Sequence, residues 1–144
     1  MFWTDWGTNP KIESAHLNGE NRQAIVNSSL GWPNDIALDY TTKKIYWVDA
    51  LTDKIESADY SGANRNLLWS YSGIHPFNVV LLDPWLYWTD WNTLQGLHQI
   101  NKTGQLYNYG KIQGKAMGLT LFDSSAQPSS KLAIIFLTSL TLWV

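Results

Sequence analysis

The fold of this chain is indicated by three similar segments, FWTD at residues 2–5, YWVD at 46–49 and YWTD at 87–90. Their tryptophans are 44 and then 41 residues apart. Other segments recur in step: KIESA at 11–15 returns at 54–58, and Asn-Arg at 21–22 returns at 64–65. Self-similarity at a fixed period indicates a repeat architecture, here with a unit of about 42 residues.

Each unit is predicted to contain four short strands, because apolar and polar residues alternate between turn signals spaced about ten residues apart. In the middle copy the predicted strands are 36–39, 44–49, 54–59 and 64–69. Asn18-Gly19, a pair that favours tight hairpins, lies at one of the turns. Four antiparallel strands per unit are typical of one β-propeller blade. The sequence therefore predicts an all-β fold.

The strand count predicts about three blades within residues 1–128. The chain opens on the second strand of one blade, contains two complete copies and ends its repeats on the first strand of another. Propellers close with typically four to eight blades, so three cannot form a ring. We expect the open edges to pair with further polypeptide.

Composition excludes several classes of protein. The 144 residues include nine tryptophans and no cysteine, and the formal net charge is −2. So many large apolar side chains rule out a disordered chain. The ten lysines and arginines are scattered rather than clustered, which argues against a nucleic-acid partner. Without cysteines, disulfide scaffolds and thiolate metal sites are excluded.

The two ends carry no recognised targeting segment. The first residues have neither a basic start nor a long apolar stretch, so no signal peptide is predicted. Residues 132–144 form an uncharged run that is shorter than the ~20 residues of a membrane-spanning helix. We expect residues 129–144 to lie outside the fold, either as a translated non-coding stretch or as the beginning of a membrane segment.

The motif segments, together with WPN at 32–34, HPF at 75–77 and the KIES stretches, resemble the YWTD repeats, or class B repeats, of the low-density lipoprotein receptor family. The resemblance covers residues 1 to about 128 and implies a six-bladed YWTD propeller, of which this chain resembles the second half. Val48 replaces the motif threonine. Asp35 stands where the family usually has glycine, which predicts a strained turn. The unfamiliar residues after Pro128 favour a truncated or fragmentary sequence.

The recurring motif residues are predicted to be structural, because a catalytic group is needed once whereas a structural group is needed in every blade. We expect the rings to fill the space between blades and the carboxylates to accept hydrogen bonds. The resemblance implies the same role. The residues are Trp3, Asp5, Tyr46, Trp47, Asp49, Tyr87, Trp88 and Asp90.

A protein-binding rim is implied by the resemblance, at residues that follow the motif aspartate or begin the first strands. Aromatic, methionine and histidine side chains there offer a large contact area at low entropic cost. Packing between loops is the alternative. Nearby Glu13, Asp35 and Asp53 either attract a basic ligand or are solvated loop charges. The predicted rim comprises Trp6, Trp32, His75, Phe77, Trp91 and Met117.

No catalytic or metal-binding residue is predicted, and no cofactor. His16, His75 and His98 occupy different positions in the repeat, and the chain has no H-E-x-x-H, G-x-S-x-G or phosphate-loop motif. A calcium-dependent propeller enzyme is the less favoured alternative. His75 and His16 are candidates for a response to endosomal pH, because imidazole changes charge in that range.

The resemblance implies an extracellular ligand-binding segment of a low-density lipoprotein receptor-related receptor at the cell surface, acting in endocytosis or signalling. Its expected partners are extracellular protein ligands, the missing blades of the propeller and neighbouring epidermal-growth-factor-like modules. A Wnt co-receptor, a nidogen-like matrix protein and a non-functional fragment are the alternatives. Asn27 and Asn101 begin N-glycosylation sequons.

Overall fold

The structure, a computed structural model, describes residues 1–111, 115–121 and 134–138. These residues form strands and turns, and none of them is helical. The strands are β1 Phe2–Asp5, β2 Lys11–Ser14, β3 Gln23–Val26, β4 Pro33–Asp39, β5 Lys44–Asp49, β6 Lys54–Asp59, β7 Asn66–Ser70, β8 Pro76–Leu82, β9 Trp85–Asp90, β10 Gly96–Asn101, β11 Leu106–Lys111, β12 Ala116–Leu121 and β13 Ile134–Thr138.

The strands form successive antiparallel sheets in chain order. Sheet 1 is β1-β2-β3, sheet 2 is β4-β5-β6-β7, and sheet 3 is β8-β9-β10-β11. A two-stranded sheet of β12 and β13 follows. The first strands of successive sheets pack side by side, β4 against β8 and β8 against β12. This arrangement confirms the predicted all-β partial propeller.

Three strand boundaries of the middle unit differ from the prediction. β4 begins at Pro33 rather than at residue 36, and proline is tolerated at the first position of a strand. β7 begins at Asn66 rather than at residue 64 and ends at Ser70 rather than at residue 69. Asn64 has a φ of 54°, in the left-handed region that a strand residue does not adopt. β5 and β6 have the predicted bounds.

The apolar core lies between successive sheets. Trp47 of sheet 2 packs in one buried cluster with Ile12 and Val26 of sheet 1. Trp88 of sheet 3 joins a cluster with Val48 and Ile55 of sheet 2. Both indoles are fully buried. Each of these two motif tryptophans therefore stabilises the contact between its own sheet and the preceding one.

A second repeated contact holds the sheets close together. Gly62 has a φ of 83°, and a Cβ atom at this position would overlap the carbonyl oxygen of Ile25 in β3. Gly104 has a φ of 88°, and a Cβ atom there would likewise overlap the carbonyl oxygen of Leu68 in β7. Glycine is required at both positions because the backbones of two sheets approach without room for a side chain.

An arginine clamp repeats in the first two sheets. Arg65 donates two hydrogen bonds to Glu56, at 3.0 and 2.7 Å, and its guanidinium lies 5.3 Å from the centroid of the Trp47 ring. It also donates to the carbonyl oxygen of Ser29, at 3.0 Å, which ties sheet 2 to the chain that leads out of sheet 1. Arg22 forms the same clamp with Glu13 and Trp3, at the same distances.

β13 pairs with β12 in the register that the motif strands use. Leu119 lies opposite Phe136, just as Ile36 lies opposite Trp47. The backbone of this part of the apolar tail therefore takes the place of a second strand. The predicted boundary at residue 128 falls among residues 122–133, which lie outside the described part of the chain, and it stays a prediction.

Lys102 joins sheets 2 and 3. Its Nζ atom is 2.5 Å from Oδ2 of the buried Asp39, and it also contacts the carboxylate of Asp83. Burial disfavours the charged form of Asp39, but the hydrogen bonds from Lys102 and Thr42 outweigh it and hold the pKa of Asp39 well below its ordinary value of 3.8. A carboxylate with a lowered pKa stabilises the fold at higher pH.

A Lys102→Met variant is expected to be less stable than the unchanged chain at neutral pH. The difference should shrink as the pH falls below 3.8 toward the folded-state pKa, because protonation of Asp39 then removes the attraction in the unchanged chain. Urea unfolding at several pH values measures this difference. Lys43→Met is the control, because Lys43 is exposed. A loss of stability in Lys102→Met that is the same at all pH values would contradict the prediction.

Candidate functional site

The motif aspartate of sheet 2 holds the loop that carries Trp32. Asp49 is fully buried, and its Oδ2 atom accepts a hydrogen bond from the backbone N–H of Gly31 at 2.7 Å. Its Oδ1 atom accepts from the backbone N–H groups of Trp32, Leu51 and Thr52, at 3.0, 3.1 and 3.0 Å. One carboxylate thus fixes both the entry to β4 and the turn after β5.

Asp90 has the same position in sheet 3. It is fully buried and accepts hydrogen bonds from the backbone N–H groups of His75 and Asn92, at 3.1 and 2.7 Å. Asp5 differs, because its side chain is 49% exposed and lies 3.5 Å from Lys11. The buried aspartates position His75, Trp32 and Trp91 at one end of their sheets.

Five of the six predicted rim residues line one cavity of about 290 Å³. The Trp91 ring stacks on Phe77, with centroids 4.3 Å apart, and on His75, at 5.3 Å. Trp32 lies 6.0 Å from His75. The cavity is lined by Trp6, Trp32, Asn34, His75, Phe77 and Trp91. We call this group the aromatic rim.

The rim combines fixed and exposed rings. The indole N–H of Trp91 donates to the carbonyl oxygen of Ala116 at 2.8 Å, and the Nζ atom of Lys115 lies 5.4 Å from a Trp91 ring centroid. Trp6 and Trp32 are 61% and 40% exposed, so their faces are available to a ligand. Met117 belongs to β12, but its side chain lies outside the described part of the structure.

The sequence prediction missed Asn34. Its Nδ2 atom donates to the carbonyl oxygen of Pro76 at 2.9 Å, which places an amide among the rings and ties sheet 2 to sheet 3. The feature of the sequence that could have identified Asn34 is its position beside Trp32-Pro33, at the start of the first strand of a sheet.

The three acidic residues near the predicted rim are engaged in contacts within the protein. Glu13 pairs with Arg22, whose hydrogen bond holds the pKa of Glu13 below its ordinary range. Asp53 accepts from the backbone N–H of Gly73 at 2.9 Å. Asp35 accepts from Val79 N–H at 2.8 Å, and burial raises its pKa above the ordinary value.

The prediction of strain at Asp35 is wrong. Its backbone does not have positive φ, and the residue lies in β4 beside a β-bulge that follows Pro33. Its Oδ2 atom also accepts from Nδ2 of Asn78, at 2.5 Å. A carboxylate is useful here because it bridges β4 to β8, whereas glycine offers no such acceptor.

The other two histidines and the asparagines of the two sequons lie elsewhere. His16 follows the end of β2, at the opposite end of sheet 1 from Trp6, and the structure does not bring it to the rim. His98 is buried beside Trp88, with ring centroids 5.1 Å apart. Asn27 is exposed, and Oδ1 of Asn101 accepts hydrogen bonds from Thr103.

Among the described residues, no group of three histidine, aspartate or glutamate side chains is arranged to hold a metal ion. In the same part of the chain, no helix is long and apolar enough to cross a membrane.

Comparison with known proteins shows what the first repeat is similar to. Residues 1–40 match the family described as "Low-density lipoprotein receptor repeat class B". A human low-density lipoprotein receptor-related protein 5-like protein is 41% identical over 69% of this chain and 40% of its own length. The Drosophila melanogaster vitellogenin receptor Yl is 37% identical over 90% of this chain and 7% of its own length. The chain thus spans less than half of each relative.

Solved structures agree with the fold. The structure of a nidogen/laminin complex matches with a TM-score of 0.63 and 34% identity, over 69% of this chain and 38% of that one. A gluconolactonase from Xanthomonas campestris matches with a TM-score of 0.69 over 90% of this chain and 42% of that one, but at 20% identity it shows the fold alone. The two sequence relatives carry receptor or receptor-related names, whereas this structural neighbour is an enzyme.

Proposed function

Because the chain carries low-density lipoprotein receptor class B repeats, we propose that it is an extracellular ligand-binding segment of a low-density lipoprotein receptor-related receptor at the cell surface. The observation that carries this proposal is the aromatic rim, where residues from three sheets meet around one cavity. The binding is non-covalent, and the ligand is a protein.

The composition of the rim suits a protein ligand. Tryptophan dominates the hot spots of protein interfaces, because a large ring buries much apolar surface and loses few rotamers. Trp6 and Trp32 present exposed rings beside the stacked Trp91, so a ligand side chain can enter between them. Asn34 supplies a polar group within the apolar surround, which favours one orientation of a bound loop.

Replacement of Trp6 by alanine is expected to weaken ligand binding by about 30-fold, the loss typical of a hot-spot residue. Trp6 is the most exposed indole of the rim, so its removal should leave the fold unchanged. Surface plasmon resonance with immobilised chain measures binding. Laminin and vitellogenin are the two probes, chosen because the names of the matched proteins contain them.

The control is Tyr40→Ala, because Tyr40 is 72% exposed and is not part of the rim. Equal affinity of the Trp6→Ala and Tyr40→Ala variants would show that the bound protein uses another surface. Binding of laminin but not vitellogenin would favour the matrix-protein alternative, and binding of neither would count against a role for this segment in either kind of complex.

Further roles belong to the same proposal. Asn27 and Asn101 are glycan acceptors on the secreted protein, and epidermal-growth-factor-like modules adjoin the propeller. His75, which stacks on Trp91 and is tilted to Trp32, contributes an imidazole ring to the ligand-binding surface. The motif residues around Trp47 and Asp49 stabilise the fold that presents the rim.

A further inference from the structure

A polar cavity of about 320 Å³ lies beside two loops at the end of sheet 1 where the aromatic rim is found. The first loop, residues 6–10, joins β1 to β2 and begins with Trp6, and the second loop, residues 27–32, joins β3 to β4 and ends with Trp32. A group that fills the cavity therefore touches both loops that carry these two rings. The walls of the cavity include Thr8, Asn9, Pro10, Asn27, Ser29 and Leu30.

The second loop is held by sheet 2. Leu30 packs against the buried cluster that joins sheets 1 and 2. The carbonyl oxygens of Ser28 and Ser29 accept hydrogen bonds from Arg65, and Asp49 accepts from two backbone N–H groups at the end of the loop. This wall of the cavity is therefore part of the junction between sheets 1 and 2.

The first loop has no such tie to the second. In the part of the chain that the structure describes, no hydrogen bond joins residues 6–10 to residues 27–32. Thr8 and Asn9 are exposed. The two loops face one cavity without a direct polar contact, so a group seated there can hold one loop against the other.

Asn27 is in a position to supply that group. It follows the last residue of β3, is exposed and begins the sequon Asn27-Ser28-Ser29. Neither polar atom of its side-chain amide has a hydrogen-bond partner among the described residues. Because Asn27 itself lines the cavity, a sugar attached to its Nδ2 atom begins at the cavity wall.

The second sequon has a different environment. Oδ1 of Asn101 accepts hydrogen bonds from the N–H groups of Thr103 and Gln105, at 3.0 and 2.9 Å, and from the Thr103 hydroxyl at 2.7 Å. Asn101 also lies opposite Trp85, at the end of sheet 3 away from the rim. A glycan at Asn101 therefore provides a control of the same chemistry at a distant site.

A small residue in β3 leaves space for the cavity. Ala24, which lies opposite Glu13, is part of the cavity wall. The same register in sheet 2 places Leu67 opposite Glu56. A leucine side chain is thus compatible with this position in the repeat, and its absence from sheet 1 leaves the volume open.

The walls match the surface of an N-acetylglucosamine ring, which has an apolar C–H face, an acetyl methyl group and several hydroxyls. Pro10 and Leu30 supply apolar surface. Thr8, Asn9 and Ser29 carry hydroxyl or amide groups that both donate and accept hydrogen bonds, as sugar hydroxyls do. The volume lies at the lower end of the range for small-molecule sites, ~300–1,000 Å³, and suits one sugar rather than a branched chain.

We propose that the first N-acetylglucosamine of an Asn27-linked glycan lies in this cavity and holds the loop 6–10 against the loop 27–32. This role rests on the proposed function, since such glycans belong to secreted proteins. The sugar then fixes Trp6 relative to Trp32 before a ligand arrives. A surface that is ordered in advance loses less conformational entropy on binding.

Trimming of the glycan tests the seat of the first sugar. The full chain with Asn101→Gln is secreted from mammalian cells that make only high-mannose glycans, and mass spectrometry establishes occupancy of Asn27. Endoglycosidase H then leaves a single N-acetylglucosamine. The trimmed form should unfold at the same temperature as the untrimmed form, and about 3 °C above the additional Asn27→Gln variant, which has no glycan.

Bacterial expression separates the sugar from the side chain. Without glycosylation, Asn27→Gln and the unchanged residue should give the same unfolding temperature. Ala24→Leu leaves the sequon intact but fills the cavity, so the trimmed form should lose its advantage over the glycan-free form. Lys43→Leu is the control, because Lys43 is exposed and outside the cavity, and there the advantage should remain.

Hydrogen exchange tests the contact between the loops. The amides of residues 6–10 should exchange roughly threefold or more slowly in the trimmed form than in the glycan-free form, because the sugar restrains their loop. A secreted chain without a glycan at Asn27 would overturn the proposal, as would equal unfolding temperatures or equal exchange in the two forms. These measurements need no ligand. A sugar that stabilises a chain binding neither laminin nor vitellogenin would support the proposed seat and count against the proposed function.

Discussion

Alanine at Gly62 is expected to lower the free energy of unfolding by about 2–5 kcal/mol. The added Cβ would overlap the carbonyl oxygen of Ile25, which belongs to the backbone and cannot rotate away. The residue would also have to keep a φ of 83°, which L-amino acids adopt at a cost. Urea unfolding followed by tryptophan fluorescence measures the loss.

Gly19→Ala is the matched control for this experiment. Gly19 has a similar φ of 85° and the same place in its repeat, but no atom lies within 4 Å of an added Cβ. In dilute solution it should cost only the ~1 kcal/mol of backbone strain. Similar losses for the two variants would mean that the close approach of sheets 1 and 2 adds nothing to stability.

Alanine at Asp49 is expected to cost about 3–5 kcal/mol, a large part of the stability of a small domain. The change leaves the four backbone N–H groups that the carboxylate serves without their acceptor, and the site is fully buried. Loss of these bonds should also release Trp32 from its place in the rim. Thermal and urea unfolding measure the first effect, and ligand binding measures the second.

Asp49→Asn separates charge from hydrogen bonding. The amide keeps one acceptor oxygen for the N–H groups of Trp32, Leu51 and Thr52 but presents an N–H₂ group to the N–H of Gly31. The Asp49→Asn variant should therefore lose less stability than Asp49→Ala. Asp83→Ala is the control, because that side chain is 71% exposed and should contribute less than about 1 kcal/mol. A stability change of Asp49→Ala no larger than that of Asp83→Ala would refute the structural role of the motif carboxylate.

Much of the fold could be predicted because each repeat contains the same motif and the same alternation of apolar and polar residues. Alternation placed β5 and β6 at their observed bounds, and the position of the motif in the repeat identified which strands come first in each sheet. β13 could not be predicted in this way. Its segment is uncharged, does not alternate between apolar and polar residues and lacks the motif carboxylate, and its register is seen only in its pairing with β12.

The rim was predictable as a set of positions but not as a geometry. Departure from the repeat singled out Trp6 and Trp91, and the structure brings both to one cavity. Contacts between sheets cannot be predicted from the pattern of residues along the chain. The bridges from Asp35 to Asn78 and from Asn34 to Pro76 join residues more than 40 positions apart, so they appear only once the sheets are assembled.

The repeated close approach at Gly62 and Gly104 has a consequence for how such a chain can change in length. Since both junctions bring a glycine against a carbonyl of the preceding last strand, a unit removed from one glycine to the next would leave a junction of the same kind. Insertion or deletion of a whole unit keeps a glycine opposite a carbonyl at the junction, whereas a shift of a few residues inside a unit moves the glycine away from that carbonyl. Duplication or deletion of one unit in the gene can therefore add or remove a blade in a single step while the glycine–carbonyl contact at the junction is kept.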